Sequence, residues 1–315
     1  MIWSERIVAG AVSARDGAEE RLSQGWMQLE AASDSSFQGR TAVLGTKHGK
    51  EQVIAPALNA GLGVHVVVPE AFDSDRFGTF TREVARAGSQ RDAARLKAQA
   101  ALHASGLALA IASEGSFGPH PVVPFVSANI ELVMLIDAEA ELEIVGTHVT
   151  METATGQRWV SDVDEALAFG RSIGFPAHGL IVRRHPDDSE LLFKSIVNED
   201  DLCEAVAQVL TASEAGRAFL EVDLRAHRNP TRMKAIAAAT DDLIANARRR
   251  CPECGAPGFS HINSRPGLPC RWCRMPSDHA LMLIYGCARC QASQEAPRPD
   301  GRDFIEPGEC PNCNP

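Results

Sequence analysis

Eight of the nine cysteines in this 315-residue chain fall after residue 250, as the pairs Cys251/Cys254, Cys270/Cys273, Cys287/Cys290 and Cys310/Cys313. Two residues between thiols turn the backbone tightly enough to present both sulfurs to one tetrahedral ion, and zinc is the usual guest of four such thiolates. Four pairs, separated by 15, 13 and 19 residues, supply two ions. A site closed by four thiolates has no open position for water, so the chemistry is structural rather than catalytic or redox. Local closure costs the least chain entropy, which favours the first pair with the second and the third with the fourth; a cross-braced pairing is the alternative.

Four further segments carry groups suited to anion or cation chemistry. Gly45-Thr-Lys-His-Gly-Lys50-Glu51 follows an apolar run. It has three residues between its glycines and Glu51 where a phosphate loop has Ser or Thr, so it is no P-loop. It is still a Gly-containing turn before a helix N-terminus, with Lys47, His48 and Lys50 to meet an anion. The segment Asp73–Glu83 offers Asp75 and Glu83 as oxygen ligands for a divalent cation. Ser113-Glu114-Gly-Ser116-Phe-Gly-Pro-His120 follows the most apolar run and reads as a turn at a strand end, where a carboxylate is costly without a partner. Asp223–Met233 sets Arg225, Arg228 and Arg232 around a helix start marked by Asn229 and Pro230, an arrangement able to grip phosphate or carboxylate. Cys203, beside an apolar helical stripe, reads as a buried thiol.

The elements that must position these groups are short apolar runs at 41–45, 64–68, 107–112, 131–136, 142–146, 179–182, 191–197 and 218–222, which suit buried strands. Helices lie between them. Ser89 with Asp92 forms a capping signal ahead of 90–105. Asn198 precedes the acidic start of EDDLCEAVAQVL, and the helix from Pro230 ends in Arg248–Arg250. We therefore expect an N-terminal extension over 1–38 and a layered α/β domain over 39–250 with a mixed sheet and flanking helices. A small zinc-ribbon-like module over 251–315 completes the expected organisation. The N-terminus has no basic region before an apolar stretch, and no run reaches the roughly 18 apolar residues of a membrane span, so we expect a cytoplasmic protein with no membrane partner. A net charge of −10 argues against a surface that coats nucleic acid. The cysteine-rich end carries six Arg, no Lys and seven acidic residues, which leaves a protein contact or a lid over the main domain as its better role.

Across residues 38–315 the segments GRTAVLGTKHGKE, DRFGTFTREVARAGSQ, SEGSFGPHP, RAHRNPTRM, CPECGAPGF and CPNCNP resemble an uncharacterised bacterial family carrying a domain of unknown function. More weakly, over about 40–150, TKHGKE, DAARLKAQAALHASGL and AIASEGSFG are similar to the inosine triphosphate pyrophosphatase and Maf superfamily. His48 stands in place of the motif's Asn, the Thr46–Lys50 spacing is one residue short, and Glu114 is single where the superfamily has an acidic pair. That resemblance implies a phosphate contact for Lys50 and a metal-binding or water-activating role for Glu114.

Together these features lead us to expect a hydrolase of nucleoside triphosphates or related phosphorylated small molecules. In it magnesium or manganese sits on Glu114 with Asp75 or Glu83. Glu114, Lys50 and His120 carry the chemistry, and Lys47, His48, Ser116, Arg225, Arg228 and Arg232 bind substrate. The competing readings are a non-enzymatic nucleotide or anion binder whose zinc module engages a protein, and an RNA binder using the arginines from Arg225 to Arg250.

Overall fold

The computed structural model describes residues 36–69, 72, 88–121 and 125–314. Asp75 and Glu83, and all of the expected extension up to residue 35, lie outside the described residues. The chain divides into two compact units, Phe37–Ile244 and a second that holds, among the described residues, Ser36 and Ala245–Asn314. No helix among the described residues is long and apolar enough to cross a membrane.

The first unit carries a five-stranded mixed sheet. Strand β1 (Thr41–Gly45) lies between β2 (His65–Val67) and β3 (Leu109–Pro119) and is parallel to both. Strands β4 (Ser127–Asp137) and β5 (Leu142–Thr150) extend the sheet as an antiparallel meander. A second, fully antiparallel sheet has the order β6-β9-β7-β8, formed by Gln157–Val160, Ala218–Val222, Leu180–Arg183 and Leu192–Ile196.

Three helices serve the first sheet: α1 (Glu51–Leu62), α2 (Gln90–Ser105) and α5 (Pro230–Arg248). Helices α3 (Val163–Ser172) and α4 (Glu199–Ala212) share an apolar cluster with the second sheet, built from Phe169, Leu202, Val206, Leu180, Val182 and Leu220 among others.

Local signals act where the sequence places them. Ser89 and Asp92 close a reciprocal capping box on α2, and the Asn198 side chain accepts from the Asp201 amide at the start of α4. The Asn229 side chain accepts from the Arg232 amide at 3.0 Å and opens α5.

One segment departs from expectation. Ser113–Pro119, read as a turn, continues β3 in unbroken register with β4, from Leu109 opposite Asp137 to Pro119 opposite Ser127. The glycines and Pro119 suggested a break, but pairing with a long apolar partner strand holds the segment extended. Glu114 is thus internal to a strand rather than at its end. The weakly patterned β6 and α3 gave no clear signal in the sequence.

Alternation along β3 assigns the faces of this sheet. Ala110 and Ala112 pack with Ala98 and Ala101 of α2, so the even-numbered residues face that helix. The odd-numbered positions lie on the opposite face. There Gly146, in register with Val133, lets α5 approach closely: a Cβ at Gly146 would sit 2.1 Å from the Leu243 nitrogen and 2.3 Å from the Ala239 oxygen.

In the second unit β10 (Ser260–Pro266), β11 (Ala280–Gly286) and β12 (Ser293–Pro297) form an antiparallel sheet with β11 central. The expected strand ahead of the third cysteine pair is β11.

Candidate functional site

The cysteines group as Cys251, Cys254, Cys287 and Cys290, and as Cys270, Cys273, Cys310 and Cys313. This cross-braced arrangement corrects the local pairing favoured on chain entropy. Antiparallel register sets Ser260 opposite Gly286, which carries the first pair to the third. A bridge between Cys270 and Ile305 brings the second pair toward the fourth. Doubling a loop costs only about 0.6 kcal/mol, which a few strand hydrogen bonds offset.

The sulfurs stand 3.6 Å (Cys251–Cys290), 3.7 Å (Cys254–Cys287), 3.9 Å (Cys270–Cys313) and 3.6 Å (Cys273–Cys310) apart. A tetrahedron with zinc–sulfur bonds of about 2.3 Å has an edge of about 3.8 Å, so both sets fit a structural zinc ion. None of the cysteines forms a disulfide.

In the first unit, charged groups gather around β3 on both faces of the sheet. On the α2 face, Lys97 forms a buried ion pair with Glu114. Gln90 donates to the carbonyls of Glu114 and Ile130 at 2.7 and 2.9 Å and accepts from the Ser116 hydroxyl at 3.2 Å. On the opposite face, Arg232 of α5 pairs with Glu131 at 2.7 Å, the two side chains being 1% and 0% exposed, and donates to the Leu224 carbonyl at 2.7 Å. Gly115 makes room for this pair, since a Cβ there would lie 2.3 Å from a Glu131 oxygen and 2.5 Å from an Arg232 nitrogen.

Lys50 stands at the N-cap position of α1 directly after the Gly49 turn, without a side-chain capping bond, and its buried ammonium donates to the Ser113 hydroxyl at 2.8 Å and carbonyl at 3.3 Å. Burial is the main cause that lowers its pKa from 10.5 to about 7, with repulsion from Arg232 and Lys97 adding to it and Glu131 and Glu114 opposing. Among the described residues three cations and two carboxylates therefore act on one another across β3 in low dielectric, one more cation than carboxylate when all are charged. Two buried oxygens, Thr46 Oγ1 and Asn129 Oδ1, have no hydrogen-bond partner among the described residues. Asn129, two residues before Glu131 on β4, shares the Lys50 face.

The other expected residues divide. His48 stacks on His227 with ring centroids 5.1 Å apart, joining the Thr46–Lys50 turn to the Asp223–Met233 segment, and Lys47 is exposed on that turn. Arg225 is turned onto Asp223 (2.9 Å) and the Ser195 hydroxyl (2.8 Å). Arg228 packs its aliphatic stem over Gly179. His120 follows the far end of β3, six residues or about 20 Å of extended chain beyond Glu114, and is not part of the cluster. Lys50, Glu114 and Arg232 are thus brought together around β3, while His120, Arg225 and Arg228 are not. Cys203 is half-buried on α4.

Three members were not singled out in the sequence. Lys97 had a signal: at four-residue spacing from Ala93 and Ala101, it sits on the buried stripe of α2. Glu131 alternates with Val133 and Leu135 in an apolar strand, and Asn129 shares that alternation. Ahead of this row, on the same face, a cavity of about 510 Å³ opens between the ends of the two sheets, lined by Phe117, Ser127, Thr155, Gln157, Glu221 and Asp223 among others.

The fold and sites define a two-unit α/β protein in which a mixed-sheet unit with a buried, cation-rich polar cluster accompanies a cross-braced pair of tetrathiolate metal sites. The chain belongs to the family described as a domain of unknown function, DUF6671, which it matches over residues 97–315. No curated protein matches it.

Proposed function

We propose that the Phe37–Ile244 unit binds a phosphorylated small molecule, with the phosphate received by Lys50 and the Thr46 hydroxyl and balanced by Arg232. The observation that carries this reading is the placement of Lys50. Its ammonium is buried, its hydrogen bonds among the described residues go to neutral oxygens of Ser113, and two further cations lie near it. An incoming anion would relieve that excess charge and favour the protonated amine. Hydrolysis of nucleoside triphosphates is the enzymatic form of this proposal.

Among the described residues no magnesium or manganese site is assembled. Glu114 is held by Lys97 on the α2 face, and among the described residues no group of three or more His, Asp or Glu side chains converges on one point. An RNA-binding role is less favoured, because Arg225 is committed to Asp223 and Arg232, 1% exposed, presents no surface to a polynucleotide.

The test is thermal unfolding with pyrophosphate and a panel of nucleotides, together with assay of released phosphate. Stabilisation that is lost in Lys50→Met supports binding, and turnover separates enzyme from binder. No shift in melting with any member of the panel would sink the proposal. For the cysteine module we propose contact with a protein partner, supported by Trp272 and Met275, which stand 77% and 51% exposed around the second cysteine pair.

A further inference from the structure

Hydrogen-bond donors are in surplus along residues 46–51. The amides of Gly49, Lys50 and Glu51 meet no acceptor among the described residues, and the first bonded amides of α1 are those of Gln52, Val53 and Ile54. Helices α2 to α5 are capped by the side chains of Ser89, Asp162, Asn198 and Asn229, whereas α1 has no side-chain cap. The Gly49 backbone, at φ +71°, is followed by helical Lys50, at φ −67°. Such a succession turns consecutive amides toward one side, the geometry of an anion-binding nest.

Any helix leaves amides free at its start, and water serves those that reach the surface. Two further donors here are buried. Thr46 is 5% exposed, and its hydroxyl has no partner among the described residues. Lys50 is 8% exposed; protonated, it carries three N–H groups, of which Ser113 takes two through its hydroxyl and its carbonyl. Both groups belong to one place, because Gly45 is in register with Ala112 and Thr46 therefore follows beside Ser113, the residue that Lys50 holds. A buried polar group without a partner costs free energy, so a gathering of donors calls for acceptors from outside the chain.

We infer that the group received here is a terminal phosphoryl, with three peripheral oxygens, and not a phosphodiester or a carboxylate, which present two. One oxygen is served by the amides of the α1 start, one by the Thr46 hydroxyl and one by the third proton of Lys50. A diester leaves one of these donors unserved and sets an ester carbon against it. A phosphomonoester and the end of a polyphosphate chain share the required group, while nucleic-acid backbones and cyclic nucleotides lack it. This inference rests on the phosphate-binding proposal and fixes which phosphates that site takes.

Binding of methyl phosphate, dimethyl phosphate, inorganic phosphate and pyrophosphate is measured by calorimetry on the full chain and its variants Thr46→Val, Thr46→Ser and Lys50→Met, with melting curves as the folding control. Methyl phosphate should bind about tenfold or more tightly than dimethyl phosphate, the worth of one charge-assisted hydrogen bond. Thr46→Val keeps the shape of the side chain without its hydroxyl, so it should weaken methyl phosphate more than dimethyl phosphate and erase most of the preference. Thr46→Ser should restore it, and Lys50→Met should weaken every ligand. Since Thr46 is uncharged, a preference lost in Thr46→Val comes from hydrogen bonding and not from the greater charge of the monoester. Pyrophosphate bound more tightly than inorganic phosphate assigns the site to the end of a polyphosphate chain, and equal or weaker binding assigns it to a monoester. If methyl and dimethyl phosphate bind alike, or the preference survives in Thr46→Val, the inference is overturned while the phosphate-binding proposal stands. If none of the four ligands binds, both are overturned.

Discussion

The second sheet of the α/β unit and its helices bury 14 apolar residues in one cluster, from Val160 to Val222. The two clusters of the cysteine module hold six and four buried residues, and two in each are cysteines. Apolar burial at about 25 cal/mol per Å² can carry the first. It cannot carry the second, where each cluster has a metal site in place of a core. The same contrast recurs inside the α/β unit. Where the large unit is secure in apolar burial, it tolerates a buried cluster of charges around β3 that no stability argument requires. Surplus stability of this kind can be committed to a binding site.

The sharpest break of this comparison is metal removal. A chelator should unfold the cysteine module while the transition of the α/β unit persists, and Cys270→Ser should reduce bound zinc from two equivalents to one. Structural zinc supplies on the order of 10 kcal/mol in small domains, so the loss should be near complete by hydrogen exchange across Leu268–Cys313. Retention of two equivalents would count against Cys270 as a metal ligand.

Next in size is Arg232→Met, which leaves Glu131 buried without its arginine and should cost about 3–5 kcal/mol in urea unfolding. Arg232→Met combined with Glu131→Leu should recover most of that stability but not anion binding. Recovery of both would make the pair structural.

Lys50 gives a pH-dependent comparison. The unfolded chain keeps its proton up to 10.5 and the folded protein releases it near 7, so between those values the unfolded state binds more protons and stability rises with pH. Lys50→Met should therefore be the more stable protein below pH 7 and lose that advantage, on the order of 5 kcal/mol, by pH 10.5. A pH-independent difference would place the ammonium in contact with water.

The smallest effect expected is Ser89→Ala, which removes one half of the α2 capping box at a cost of about 1 kcal/mol without touching the cluster, read as a modest fall in melting temperature.

Much of the scaffold was legible. Strands Thr41–Gly45 and Ala218–Val222, and helices Gln90–Ser105 and Pro230–Arg248, begin where apolar periodicity and caps place them. The candidate site was legible only in part. Lys50 and Arg232 stood out because their neighbours were unusual, whereas Lys97 and Glu131 were concealed inside an alanine-rich helix and an apolar strand. A single charge in such a context gains meaning only from the group opposite it, and His120 shows the converse, a residue conspicuous in sequence and remote in space.

The sequence by itself determined that eight thiols in four CxxC turns could serve two ions, because CxxC spacing is local and fixes what each turn presents. It determined the capped helices for the same reason. Which thiolates share an ion was decided by the register of β10 with β11 and the bridge of Cys270 to Ile305. Which charges meet was decided by the two faces of β3 and by the missing Cβ of Gly115, since pairing across 101 residues from Glu131 to Arg232 exists only once the sheet and α5 are assembled.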